Sequence, residues 1–357
     1  MTLTPMPITP RLCRSVAMLG AAGIAGLAVA FAASPAAAQA QNCPQGLRKI
    51  NVGVAVAPPN VVHTAPFVAK ALGFFAKRCV DANIIQFDGG AAGTSVTAVG
   101  QGTAISNLPD VAIAQGLKAR QIWGLAPRPP QAFVVTAEIK TAADLKGKRL
   151  SAAGGVGGFN WLMGREVLRK AGLAVADAQF VSQGTAGRLP GFVAGQIDGV
   201  VLHPEDVYLV QKQKPGAHVM STIADLLPSL AFNHYGAADS LIAKDRPLLV
   251  DTVAAMIEAN RAIYRDRDKV VPIIVEATGK PRDAVEFAID SITQACVLSV
   301  NQGFVRERTE WTHQNTVDNG DLDAARKLTF DRIVDMSIAD DAVKAAGGPV
   351  TIGACKD

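Results

Sequence analysis

Between Lys49 and Leu202 the sequence alternates short β-branched runs with longer stretches of helical character. That alternation restricts the chain to β/α units around mainly parallel strands. Lys49 to Val56 reads as a strand, Val61 to Leu72 as a helix stopped by Gly73, and Val80 to Phe87 as a second strand. The run Gly89-Gly90-Ala91-Ala92-Gly93 then opens a helix to about Gly100, and Val111 to Ala114, Ile122 to Leu125 and Ala132 to Ala137 are expected to complete a first sheet. A second series of the same kind follows. It runs from the turn at Thr141 to Lys148 through the strand Arg149 to Ala153, the glycine loop Gly154 to Gly158, a helix from Phe159 to Ala171, a strand at Gln179 to Ser182, a helix from Arg188 to Ala194 and a strand at Ile197 to Leu202.

From Pro247 the pattern turns helical, with Val250, Val253, Ala254 and Ile257 on one helical face and Ile289, Ile292 and Val297 in a later helix. Such a tail is expected to pack on the first lobe, with the chain crossing between lobes near Glu138 to Lys140 and returning near Ser221 to Asn233. The expected fold is therefore a two-lobed α/β protein with two mainly parallel sheets, a hinge and a C-terminal helical segment. Lobe 1 takes residues 41–138, lobe 2 takes 139–220, and 221–357 returns to lobe 1. Two crossings make a hinge, and a hinge makes a cleft.

The N-terminus carries an address. Arg11 and Arg14 precede the uncharged run Val16 to Ala33, and the small-residue stretch Ala36-Ala37-Ala38-Gln39-Ala40 follows, the order of a secretory signal with cleavage near Ala40. The run approaches membrane-spanning length, but it is rich in Ala and Gly and ends in a cleavage motif. Losing residues 1–40 removes two arginines and no acid, so the formal charge falls from +4 to +2. The remaining basic residues lie in mixed-sign segments such as Arg261 to Lys269, which excludes a nucleic-acid surface. An exported chain with the even set Cys43, Cys79, Cys296 and Cys355 is expected to form disulfides. Cys43 with Cys79 is favoured, because each stands just ahead of a strand and adjacent parallel strands bring those starts together. Cys296 then ties Cys355. No C-x-x-C spacing supports a thiol metal site.

The polar residues with chemistry in reach cluster at the carboxyl ends of strands, where open α/β sheets bind ligands. Gly155, Val156, Gly157, Gly158 and Phe159 form a turn that opens a helix and leaves N–H groups for an anion. The turn lacks the third glycine of a dinucleotide fingerprint and there is no phosphate loop, so no cofactor is called for. Thr185 and Arg188 occupy the same place one unit later. Arginine at a helix start opposes the helix dipole, which points to an anion or merely to a surface cap. His203 and Glu205 follow the strand Ile197 to Leu202, and Asn60, His63, Gly93, Thr94 and Gln115 are the corresponding residues of the first lobe. Each has a structural alternative, capping above all. The histidines show no metal-binding spacing, and neither a G-x-S-x-G elbow nor a cysteine-protease signature is present, so no metal or catalytic residue is assigned.

The segments Pro66 to Phe75, Asp144 to Arg149 and Ala194 to Gly199 resemble the solute-binding proteins of ABC transporters of the nitrate, sulfonate and taurine type, a fold shared with thiamin-pyrimidine precursor binders and synthases. The resemblance spans roughly residues 48 to 245. It implies a periplasmic, monomeric receptor that closes on a small organic anion, a sulfonate or an aromatic or heterocyclic carboxylate, and passes it to a membrane permease driven by an ATPase. It also implies ligand contacts at Gly155 to Phe159, Arg188 and His203 to Glu205. The last loop reads Leu202-His203-Pro204-Glu205 where many relatives carry a Trp-Asp-Pro type segment. An enzyme of the same fold and a periplasmic sensing subunit are the alternatives.

Overall fold

The computed structural model describes residues 43–87 and 92–357; the signal segment and Gly89 to Ala91 lie outside them. Strands β1 (Arg48–Val54) and β2 (Val80–Gln86) pair in parallel. A bridge from Val52 to Ile105 carries that pair to β3 (Ser106–Asn107), which lies beside the antiparallel strands β10 (Asn233–Ala238) and β4 (Ala119–Ala126). The other sheet has the order β7-β6-β8-β5-β9, from Gln179–Gln183, Arg149–Ala153, Gly199–Leu202, Ala132–Val135 and His218–Thr222. In it β6 runs parallel to β7 and β8, while β5 runs antiparallel to β8 and β9.

Both sheets are thus mixed rather than mainly parallel, because the strands beside the two passages between sheets enter in the opposite sense. One expected strand changes sheet. Ala132–Val135 pairs with β8 and β9 and not with β4, which moves the first passage to residues 127–131. A fully buried apolar run satisfies either sheet, so its composition does not choose. Another changes type, because Val111 to Ala114 lies in the helix Asp110–Ala114. Pro109 sets an extended N-cap, Asp110 favours the helix start, and Ile113 is buried against neighbours that include Leu108 and Phe330.

The C-terminal helices Arg246–Arg265, Arg267–Thr278, Arg282–Gln294 and Met336–Ala345 share one core with β1, β2 and β4. Gly124 and Gly303 allow the closest approach there. A Cβ on Gly124 would stand 2.0 Å from the Gly303 carbonyl oxygen, and Gly124 N–H donates to Gln302. Disulfides join Cys43 to Cys79 and Cys296 to Cys355, the favoured pairing. Among the described residues no helix is long and apolar enough to cross a membrane.

Candidate functional site

Six residues after β1, Asn60 holds the N-cap position of the short turn Val61–His63 without a side-chain capping bond, and the turn leads into the helix Ala65–Ala71. The first N–H groups of such a turn have no partner within it. Here Val61 N–H donates to Glu205 Oε1 at 3.1 Å, and Asn60 Nδ2 donates to the same oxygen at 2.9 Å. Glu205 belongs to the helix Pro204–Gln213 at the carboxyl end of β8, so the two sheets meet at one carboxylate. Arg188 adds a second link by donating to Asn60 Oδ1 at 3.3 Å, while Nε and Nη1 donate to the carbonyls of Thr185 and Val201.

His63 and His203 face each other edge to face, with ring centroids 5.6 Å apart. Phe232, on the return passage, lies 6.3 Å from His63, 6.5 Å from His203 and 5.4 Å from Phe159. Gln131, on the first passage, places Nε2 3.2 Å from His203 Nε2. Behind Glu205, Asp206 pairs with Lys280, which stands just ahead of the helix Arg282–Gln294.

Burial governs the ionisation of the cluster. Desolvation, reinforced by the Arg188 charge, lowers His63 to about 3, and burial with the neighbouring His63, Arg188 and Lys280 holds His203 well below its ordinary value. Both rings are therefore neutral at pH 7. Burial and the Asp206 charge push Glu205 up, against the pull of the Asn60 and Val61 donors. Desolvation lowers Arg188, opposed by Asp206 and Glu205. Four buried polar atoms of this cluster have no hydrogen-bond partner in the protein: His63 Nδ1, His203 Nδ1, Gln131 Oε1 and Glu205 Oε2. Native structures rarely leave such atoms without a partner, protein or water, so this cluster is the candidate place for a ligand.

Of the residues singled out in the sequence, Asn60, His63, Phe159, Thr185, Arg188, His203 and Glu205 are joined by these contacts. The glycine turn stands beside them. Gly155 and Gly157 need left-handed φ values of 84° and 83°, and Val156 is 75% exposed at its tip. The N–H groups of Gly154, Gly155 and Gly158 donate to Gln183, Ala152 and Gly155, so they are not available to an anion. Gly93 and Thr94 are exposed in the helix Ala92–Gly100, where the Gly93 carbonyl accepts from the Thr97 hydroxyl. Gln115 is exposed at the end of the helix Asp110–Ala114, and no side-chain hydrogen bond joins it to the cluster.

Sequence reasoning missed Gln131, Phe232, Asp206 and Lys280 as members of the cluster. Pro129-Pro130 ahead of Gln131 and the passage Ser221 to Asn233 around Phe232 were the available signals, since a segment crossing between lobes borders the cleft. Among the described residues no group of three or more His, Cys, Asp or Glu is arranged to hold a metal ion.

The mixed α/β fold in two bodies, with polar residues meeting between them, is the fold shared by two-lobed periplasmic binding proteins. Residues 60–269 match the family model described as NMT1/THI5 like, and the chain belongs to that family. Solved structures of the same fold include the periplasmic aliphatic sulphonate binding protein SsuA from Escherichia coli, 19% identical, with a TM-score of 0.62 over 81% of this chain and 97% of that one. The periplasmic nitrate-binding protein NrtA from Synechocystis PCC 6803 is 13% identical, with a TM-score of 0.64 over 84% and 89%. The desulfurization enzyme DSZB is 16% identical, with a TM-score of 0.60 over 83% and 99%. No curated protein matches the sequence.

Proposed function

We propose that the chain is an exported solute receptor, carried to the periplasm by residues 1–40 and cleaved near Ala40. As a monomer it closes on one small solute between its lobes and delivers it to an ABC permease and its ATPase. In this reading the second lobe begins after the passage at residues 127–131 and ends after Thr222. The observation that carries the reading is the junction of Asn60 and Val61 with Glu205, which brings unpaired, buried polar atoms from both bodies to one place. Closure follows from a solute that touches both sides, since only differential contact with the closed form shifts the equilibrium. The family model and the fold of SsuA and NrtA support the same role.

The test is mass spectrometry of protein purified from the exported fraction, followed by thermal unfolding with a solute panel. A small molecule that copurifies unchanged and raises the midpoint is the expected result; no stabilisation by any solute contradicts it. A second reading, catalysis, has one observation in its favour: a neutral histidine pair on a fold that DSZB also uses. Recovery of a new product after incubation would establish it.

A further inference from the structure

Three of the four unpaired atoms of the cluster, those of Glu205, His203 and Gln131, have definite hydrogen-bonding senses. Glu205 Oε1 is engaged by Asn60 and Val61, which leaves Oε2 of the ionised carboxylate as an acceptor. Gln131 Nε2 can only donate, so the neutral His203 ring accepts at Nε2 and carries its proton on Nδ1. His203 Nδ1–H is then an unpaired donor, and Gln131 Oε1 an unpaired acceptor. A fitting solute must offer at least one N–H or O–H and at least one acceptor. An acceptor-only oxyanion satisfies His203 but leaves Glu205 Oε2 and Gln131 Oε1 bare, and it sets a negative charge beside a carboxylate.

Charge bookkeeping points the same way. Arg188 and Lys280 balance Glu205 and Asp206, and the donors of Arg188 face Thr185, Val201 and Asn60. A charged solute would enter this buried place with no counter-charge to neutralise it, a costly arrangement. Phe159 and Phe232 pack on each other at 59°, and Phe232 also lies within 6.5 Å of both histidine rings, so an aromatic surface borders the polar atoms. Such a border suits a molecule with an apolar, flat face.

We propose, building on the receptor reading above, that the solute is a small, neutral, planar molecule with an amide-like edge. Its N–H donates to Glu205 Oε2, its C=O accepts from His203 Nδ1–H, and Glu205 is the residue that excludes oxyanions. Calorimetric titration tests this with uracil, hydantoin and 2-pyridone as one set, and ethanesulfonate, taurine, benzoate and nitrate as the other. Each is run against the full exported chain and Glu205→Gln. Glutamine keeps an acceptor for Asn60 and Val61 but turns an N–H toward the solute.

The expected result is binding of at least one amide-edge probe, weakened about 30-fold or more in Glu205→Gln, a loss in the range of one charge-assisted hydrogen bond. No oxyanion should bind the unsubstituted protein comparably. An oxyanion that binds as well, or an amide-edge probe that binds Glu205→Gln unchanged, overturns the inference and leaves the receptor reading standing. Binding by neither set overturns this inference, and the copurification test above then decides the receptor reading. Should Glu205→Gln not fold, the selectivity of the unsubstituted protein between the two sets decides.

Discussion

The two ends of the helix Pro204–Gln213 make contact with the opposite body in different ways. At its start Glu205 and Asp206 are buried, and they meet the buried Asn60 and Val61 and the partly buried Lys280. At its far end Tyr208 and Lys212 bond to Asp283, with the Lys212 and Asp283 side chains 53% and 51% exposed, and the Tyr208 ring lies against Phe287. The same helix therefore carries a dry junction and a wet one. Buried charges are barely screened and are severely destabilised when unpaired, whereas exposed pairs contribute little. In the receptor reading proposed above, closure on a solute would be governed by the inner end, and the outer contacts would follow it.

The largest expected difference is a pH effect confined to the buried part. His63 titrates at about 3 in the folded protein but near 6.5 when exposed, and His203 is lowered in the same direction. Between those values the unfolded chain binds more protons, so stability is full above about pH 6.5 and falls as pH drops, by up to about 1.4 kcal/mol per pH unit for each histidine. Glu205, pushed up, opposes part of this, since its folded form gains as pH falls. Arg188, Asp206 and Lys280 are the other charges facing the pair. Denaturant unfolding at pH 7 and pH 5 should show a net loss, reduced in His63→Gln.

Next in size is Lys280→Met, which strands Asp206. Breaking a buried pair costs about 3 kcal/mol or more. Opening of the lobes relieves that penalty, so small-angle scattering should report a larger radius of gyration before unfolding shifts. Arg188→Ala removes bonds to Asn60, Thr185 and Val201 and should lower stability by roughly 1.5–3 kcal/mol in denaturant titration. The smallest effect belongs to the wet end, where Lys212→Ala should leave both the unfolding midpoint and the scattering profile unchanged within error. A loss there as large as that of Lys280→Met would erase the distinction between the two ends.

Much of the site was legible because strand order fixes it locally. His203, Glu205, Arg188, Asn60 and His63 each follow a strand or open the next helix, and a carboxyl end faces the cleft wherever its sheet sits. The Cys43–Cys79 pairing was legible for the same reason, since Arg48 pairs with Val80 at the starts of adjacent strands. Lys280 was not, because its approach to Asp206 depends on how a C-terminal helix docks against the opposite body, 74 residues away in the chain. Nor was the sheet that takes Ala132–Val135, whose four buried residues suit either partner. The glycine turn misled in part. Its composition indicated free N–H groups, but those of Gly155 and Gly158 close the turn itself and that of Gly154 pairs with Gln183 on the neighbouring strand.

Amide exchange at Val61 tests most directly whether residues from the two bodies form one site. Its N–H has no helical acceptor and donates to a carboxylate 144 positions away. In Glu205→Ala the Val61 amide should exchange at least about tenfold faster, as loss of a buried hydrogen bond implies, while amides within β6 keep their rates. Unchanged protection at Val61 in that variant would contradict the junction on which the site is built.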